Sequence, residues 1–179
     1  EIKQYKMALS KLKLKNEIQT MMEQASQGDE VKADDWVEAL FGYISDIGVF
    51  NPIIQPLDTL GMDINVKSIL SPIETTLGMV LNPVWGQANS FRNQLPILIK
   101  GMATTVYVAL SPFFGSLNVG GFAPASVTKP FGLDLDPAFK SGQRGDSIET
   151  IAETYATQIH KFFTSGKYFN WKPIQLVLK

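Results

Sequence analysis

The chain has 179 residues, of which 45% are hydrophobic and only 18% charged, and its formal net charge is −1. That is enough apolar content for one core and a single domain spanning 1–179, and too little basic excess for nucleic acid to be the main partner, since phosphate neutralisation needs a cationic footprint. The absence of cysteine excludes disulfide frameworks, thiolate zinc sites and cysteine nucleophiles.

The opening EIKQYKMALSKLKLKNE is charged throughout, unlike a secretory leader. Residues 2–27 read as a helix, the N-terminal element of a 1–27 segment. Ile2, Tyr5, Leu9 and Leu12 form one seam, and Leu14, Ile18, Met21 and Ala25 a second, rotated one. Lysines at 3, 6, 11, 13 and 15 give the first half a basic face, expected to be solvated. Gly28 and the polar run after it end the helix.

A second helix is expected to begin near Asp35, where Asp35 and Glu38 have reciprocal capping spacing, and to stop at Gly48. Trp36, Leu40, Tyr43, Ile44 and Ile47 make its stripe. Trp36, Phe41 and Tyr43 read as core aromatics, not as a stacking platform. Residues 49–66 carry Asn-Pro, Gln-Pro and a glycine and read as a packed loop. Ser71-Pro72-Ile73-Glu74 signals a third, short helix with Ile73, Leu77, Val80 and Leu81 on one face, ended by Asn82-Pro83.

Residues 90–111 admit two readings. Ile97, Leu98, Met102, Val106 and Leu110 fit a buried helix, whereas 104–108 have strand composition. Length favours helix. The apolar run 95–114 approaches a membrane span in length, but Lys100 and prolines 96 and 112 argue for a buried core element. Residues 112–144 are punctuated by glycine and proline yet keep their aromatics and aliphatics. A long irregular segment of that kind is expected to be an arm lying on a neighbouring chain.

The clearest element is 145–166. Asp146 and Glu149 have capping-box spacing, and Ile148, Ile151, Tyr155, Ile159 and Phe162 share one face. Lys161 suits the C-terminal dipole and Gly166 a left-handed stop. Residues 167–179 form a tail whose last six residues suit a short strand, with Pro173 at its start or on an edge. The fold class expected is therefore mainly α: an irregular domain of about five helices with a long Pro/Gly-rich arm and a short C-terminal strand.

Chemistry is sparse. The only histidine, His160, has Ala156 and Thr164 as its helical neighbours and reads as structural. No nucleophile elbow, phosphate loop, dinucleotide fingerprint or zinc-protease motif occurs. Asp134 and Asp136 would share a side of an extended segment and are the candidates for a hard cation or a carboxylate-based hydrolase, although Asp-Pro equally suits a turn. Arg144-Gly145-Asp146 matches the integrin-binding tripeptide, but Asp146 is already assigned as a cap. No catalytic residue, metal ligand or cofactor is expected.

The helical opening MALSKLKLKNEIQTMM and the downstream pattern A-x-x-x-A-x-x-I, here Ala152 to Ile159 running to Ser165-Gly166, resemble the small virion structural proteins of tailed bacteriophages. Such proteins sit in necks, baseplates or capsid vertices and work by ring assembly without catalysis. The resemblance thus implies a virion component assembled in the host cytoplasm, whose partners are copies of itself and adjoining structural proteins. Low charge and an apolar arm point the same way. The interface residues expected are Phe113, Phe114, Leu117, Val119, Phe122, Phe131, Leu133, Phe139, Trp171 and Leu176. The second reading is a peripheral membrane or lipid-binding module using the basic first helix and the aromatic-rich segments; the third is the carboxylate hydrolase.

Overall fold

The computed structural model of the chain describes residues 9–44, 49–50, 90–116, 124–165, 167–170 and 175–178. The fold is mainly α. Among the described residues five helices run in the order α1 (Lys11–Ser26), α2 (Ala33–Ile44), α3 (Ser90–Ser116), α4 (Asp136–Arg144) and α5 (Ile148–Phe163). Strands β1 (Val49–Phe50), β2 (Pro124–Thr128), β3 (Lys167–Asn170) and β4 (Gln175–Leu178) form an antiparallel sheet in the order β1-β4-β3-β2. The C-terminal strand thus pairs within its own chain, Lys167 facing Val177 and Val49 facing Leu178. Pro124 opens the edge strand β2, where a missing N–H costs no ladder bond.

Helix α1 starts at Ser10, whose hydroxyl accepts from the Lys13 N–H at 3.2 Å. It ends where the Gly28 N–H reaches Ala25 O and the Asp29 N–H reaches Gln24 O, the paired bonds of a Schellman stop. Of the two seams expected, the second supplies the core: Leu14, Ile18 and Met21 are buried, and Ala25 is exposed. From the first seam Leu9 is buried, but Leu12 is 64% exposed, because the helix begins only at Lys11 and turns Leu12 outward.

Helix α1 lies antiparallel along α5. The ion pairs Lys11–Glu153 (2.6 Å) and Lys15–Glu149 (2.8 Å) step forward on one helix and backward on the other. Burial dominates this contact. Fully burying a side chain such as Leu14 or Ile18 contributes about 1.5–3 kcal/mol, against at most about 1 kcal/mol for a partly exposed ion pair. Ala152 and Ala156, one helical turn apart and fully buried, allow close approach to α5.

Helix α2 is buried on most of its circumference, with only Asp34 and Glu38 exposed. It begins at Ala33, before Asp35. The Lys32 N–H donates to the Asp35 carboxylate at 2.6 Å, so Asp35 is the residue reaching back to the cap and not the cap itself. The three aromatics are core, as expected. Trp36 packs against Phe91 at 5.7 Å and Tyr155 at 5.6 Å, and Tyr43 against Phe163 at 5.7 Å.

Residues 90–116 are one helix, which resolves the helix–strand ambiguity. Its buried face is Leu95, Leu98, Ile99, Met102 and Ala103, so the expected burial of Ile97 is corrected: that side chain is 63% exposed. Among the described residues no helix is long and apolar enough to cross a membrane.

The stretch 112–144 is not one irregular arm. Its first residues extend α3, residues 124–128 are strand β2, and 136–144 are helix α4. Pro137 occupies the first turn of α4, where a missing N–H is harmless, and Asp134 accepts the Asp136 N–H at 3.0 Å just ahead of it. Gly145, at φ +73°, closes α4 in the left-handed region, its N–H on Gly142 O and that of Asp146 on Ser141 O. Helix α5 is then capped by Ser147, which accepts from the Thr150 N–H, and not by Asp146. Asp146 instead accepts from the Ser141 hydroxyl and Arg144, both at 2.6 Å. The expected helix at 71–82, the loop at 51–66, the stops at Gly48 and Gly166, and Lys3 and Lys6 lie outside the described residues.

Candidate interaction surface

The basic face of α1 is the first place where chemistry was expected. Its lysines are engaged inside the chain. Lys11 and Lys15 pair with α5 carboxylates, and Lys13 donates to Gly42 O near the C-terminal end of α2, where carbonyls accumulate negative potential. The Lys11 hydrogen bond holds the Glu153 carboxyl below its usual range. Among the described residues, the part of the expected solvated face made by Lys11, Lys13 and Lys15 is therefore a seam between helices.

His160 lies beside this seam, half-buried, with Nδ1 2.8 Å from the Tyr43 hydroxyl. Tyr43 is fully buried. Its O–H is therefore best satisfied by donating to Nδ1, which places the imidazole proton on Nε2. Burial pushes the Tyr43 phenol far above its usual range and, with the nearby Lys11 charge, holds His160 below its own. The pair is a structural link between α2 and α5, in keeping with the expected structural histidine.

Asp134 and Asp136 are both exposed and are turned to local work. Asp134 organises the start of α4, and Asp136 faces Arg92 at 3.3 Å. Among the described residues no cluster of three or more acidic or histidine side chains could hold a metal ion.

What stands out is one side of α3 and the segment beside it. Ile97, Thr104 and Val108 recur at steps of seven and four and fall on one helix face, Ile97 at 63% and Val108 at 61% exposure. Residues 129–133 run alongside and, with Lys100, Ala103, Thr104 and Phe162, line an open hollow of about 310 Å³. Phe131, 58% exposed, stands at its edge. Lys100 and Lys129 form the rim, the Lys129 ammonium lying 5.6 Å from the Tyr107 ring centre.

No protein-family model, curated protein or solved structure matches the chain.

Of the interface residues expected from sequence, Phe131 lies on this surface. Leu133 lines the cavity while packing in part against the chain's own core, whereas Phe139 packs on that core, edge-on to Phe91 and Tyr155 with Arg92 over its ring at 5.3 Å. Phe113 and Phe114 fall in α3 and Leu176 in β4. Leu117, Val119, Phe122 and Trp171 lie outside the described residues. Ile97 and Val108 were missed as surface residues. The signal that would have found them is their shared helix face with Thr104, once the inward face is set at 95, 98, 99 and 102.

Proposed function

We propose that the chain is a structural subunit of a multi-protein assembly, acting through protein–protein contacts without catalysis, and that the assembly is a virion of the tailed-phage kind. The observation that carries this reading is the apolar side of α3. Ile97 and Val108 are large and mostly exposed on one face of α3, about three turns apart, and Phe131 is exposed at the cavity beside that helix; exposed apolar groups on one side of a fold favour an interaction site. The low charge content and a net charge near zero favour association further. The virion setting rests on the resemblance of the α1 and α5 sequences to small phage structural proteins.

The lipid-binding alternative draws on the basic first helix and the aromatic-rich segments. Among the described residues, Lys11, Lys13 and Lys15 of that helix are engaged by α5 and α2 and not held ready for a bilayer. Co-sedimentation of the purified chain with anionic vesicles, beside sedimentation velocity without lipid, tests the choice. Assembly without lipid and no pelleting with vesicles supports the structural subunit. Vesicle binding by a chain that is otherwise monomeric overturns it.

A further inference from the structure

The surface carries a knob, a hole and charges of both signs. Phe131 is exposed, yet its backbone is held: its N–H donates to the Ser165 hydroxyl at 2.8 Å, and that hydroxyl in turn reaches Phe162 O at 2.6 Å, at the end of α5. Gly132, at φ +75°, makes a turn that only glycine adopts easily, sending Leu133 to the core while Phe131 stays out. An exposed aromatic on a fixed backbone has little freedom to lose on binding, which is the character of an interface anchor. The 310 Å³ cavity opens beside it, floored by Ala103 and Phe162.

The charges indicate what covers this surface. Lys100 is exposed and no carboxylate of the described residues pairs with it. Asp134, three residues from Phe131, is also exposed, and only its Oδ1 is engaged, by a backbone N–H. A purely cationic rim would suit an anionic ligand. Lysines at the rim, an exposed carboxylate three residues from Phe131, a knob and a hole together supply both halves of a contact related by a two-fold rotation. We infer that the face formed by α3 and residues 129–134 is a two-fold contact between copies of this chain, in which Phe131 of each copy enters the other's cavity and Asp134 meets the other's Lys100 and Lys129. This rests on the assembly reading above and names the partner and the contact.

Complementary charge reversal tests it on the full chain. One variant carries Lys100→Glu with Lys129→Glu, and the other Asp134→Lys. All three positions are solvent-facing, and a circular dichroism spectrum matching wild type confirms that each variant folds. By sedimentation velocity, wild type should self-associate as concentration rises and more weakly as salt rises. Each variant alone should associate at least about tenfold more weakly, because like charges then face one another. Mixed one to one, the two variants should regain the wild-type association, since every contact in the mixed pair is again between opposite charges. Phe131→Ala should weaken association without any rescue by mixing. Oligomers that ignore both charge variants overturn this contact and leave the assembly reading standing. Folded variants that fail to associate on mixing overturn it too, and a wild type that stays monomeric at every concentration overturns the contact and the assembly reading together.

Discussion

Replacing Tyr43 by phenylalanine deletes one oxygen and nothing else from a fully buried ring that packs edge-on against Phe163. The loss is the hydrogen bond to His160 Nδ1 at 2.8 Å, worth about 0.5–1.5 kcal/mol net. Because His160 is half-buried, water can partly replace the donor, so about 1 kcal/mol is expected. The reverse perturbation should cost more. His160→Phe leaves the Tyr43 hydroxyl buried with no acceptor, a penalty of about 1–3 kcal/mol. The double variant removes donor and acceptor together and leaves no orphan, so it should be more stable than His160→Phe alone. Urea unfolding of the three variants and wild type at pH 8, where the imidazole is neutral, measures the coupling directly. Simple additivity of the two single effects would refute the account of this buried pair.

Other outcomes follow from the same geometry. His160 has its pKa lowered by burial and by Lys11, so the folded state disfavours the proton: its contribution is fully present above about pH 6.5 and is lost as pH falls through the folded value. Wild type should thus lose stability between pH 7 and 5 while His160→Phe stays nearly flat, as read by denaturant midpoints. Asp146, lowered mainly by the Arg144 hydrogen bond, and Glu153, lowered mainly by Lys11, act in the same sense further down: their stabilisation is present above about pH 4 and disappears below it. Gly145→Ala places a side chain at φ +73°, and thermal unfolding should report a loss of about 1–2 kcal/mol even though a Cβ there has open space. Ala156→Leu forces extra volume into a fully buried position on α5 and should cost about 1–3 kcal/mol, whereas Lys11→Ala should cost less than about 1 kcal/mol.

Elements with a strong apolar stripe were legible: α2 and α5 form around the stripes that periodicity placed, and α1 around the second of its two seams, starting at Lys11 and not near residue 2. The errors are of a few physical kinds. Asp35 and Asp146 have capping spacing, but a carboxylate can serve a helix end as the cap, as the residue reaching back to it, or from the preceding stop, and only the backbone conformation decides. Helix α4 was hidden because Asp136-Pro137 reads equally as a turn and as a first helical turn, and because its polar sequence leaves few apolar marks beyond Ala138 and Phe139. Ile97 was misassigned because the apolar residues at 95, 97, 98 and 99 fit two helical registers. The candidate surface was the least legible. The lysines of α1 find their carboxylates more than a hundred residues away on α5, and the hole beside Phe131 is assembled from three separate parts of the chain.

The proposed function is association of this chain with copies of itself and with neighbouring proteins. The most direct measurement is its mass in solution by light scattering, taken across a wide concentration range at low salt. The mass should rise above that of one chain as concentration increases. A single-chain mass at every concentration would contradict it.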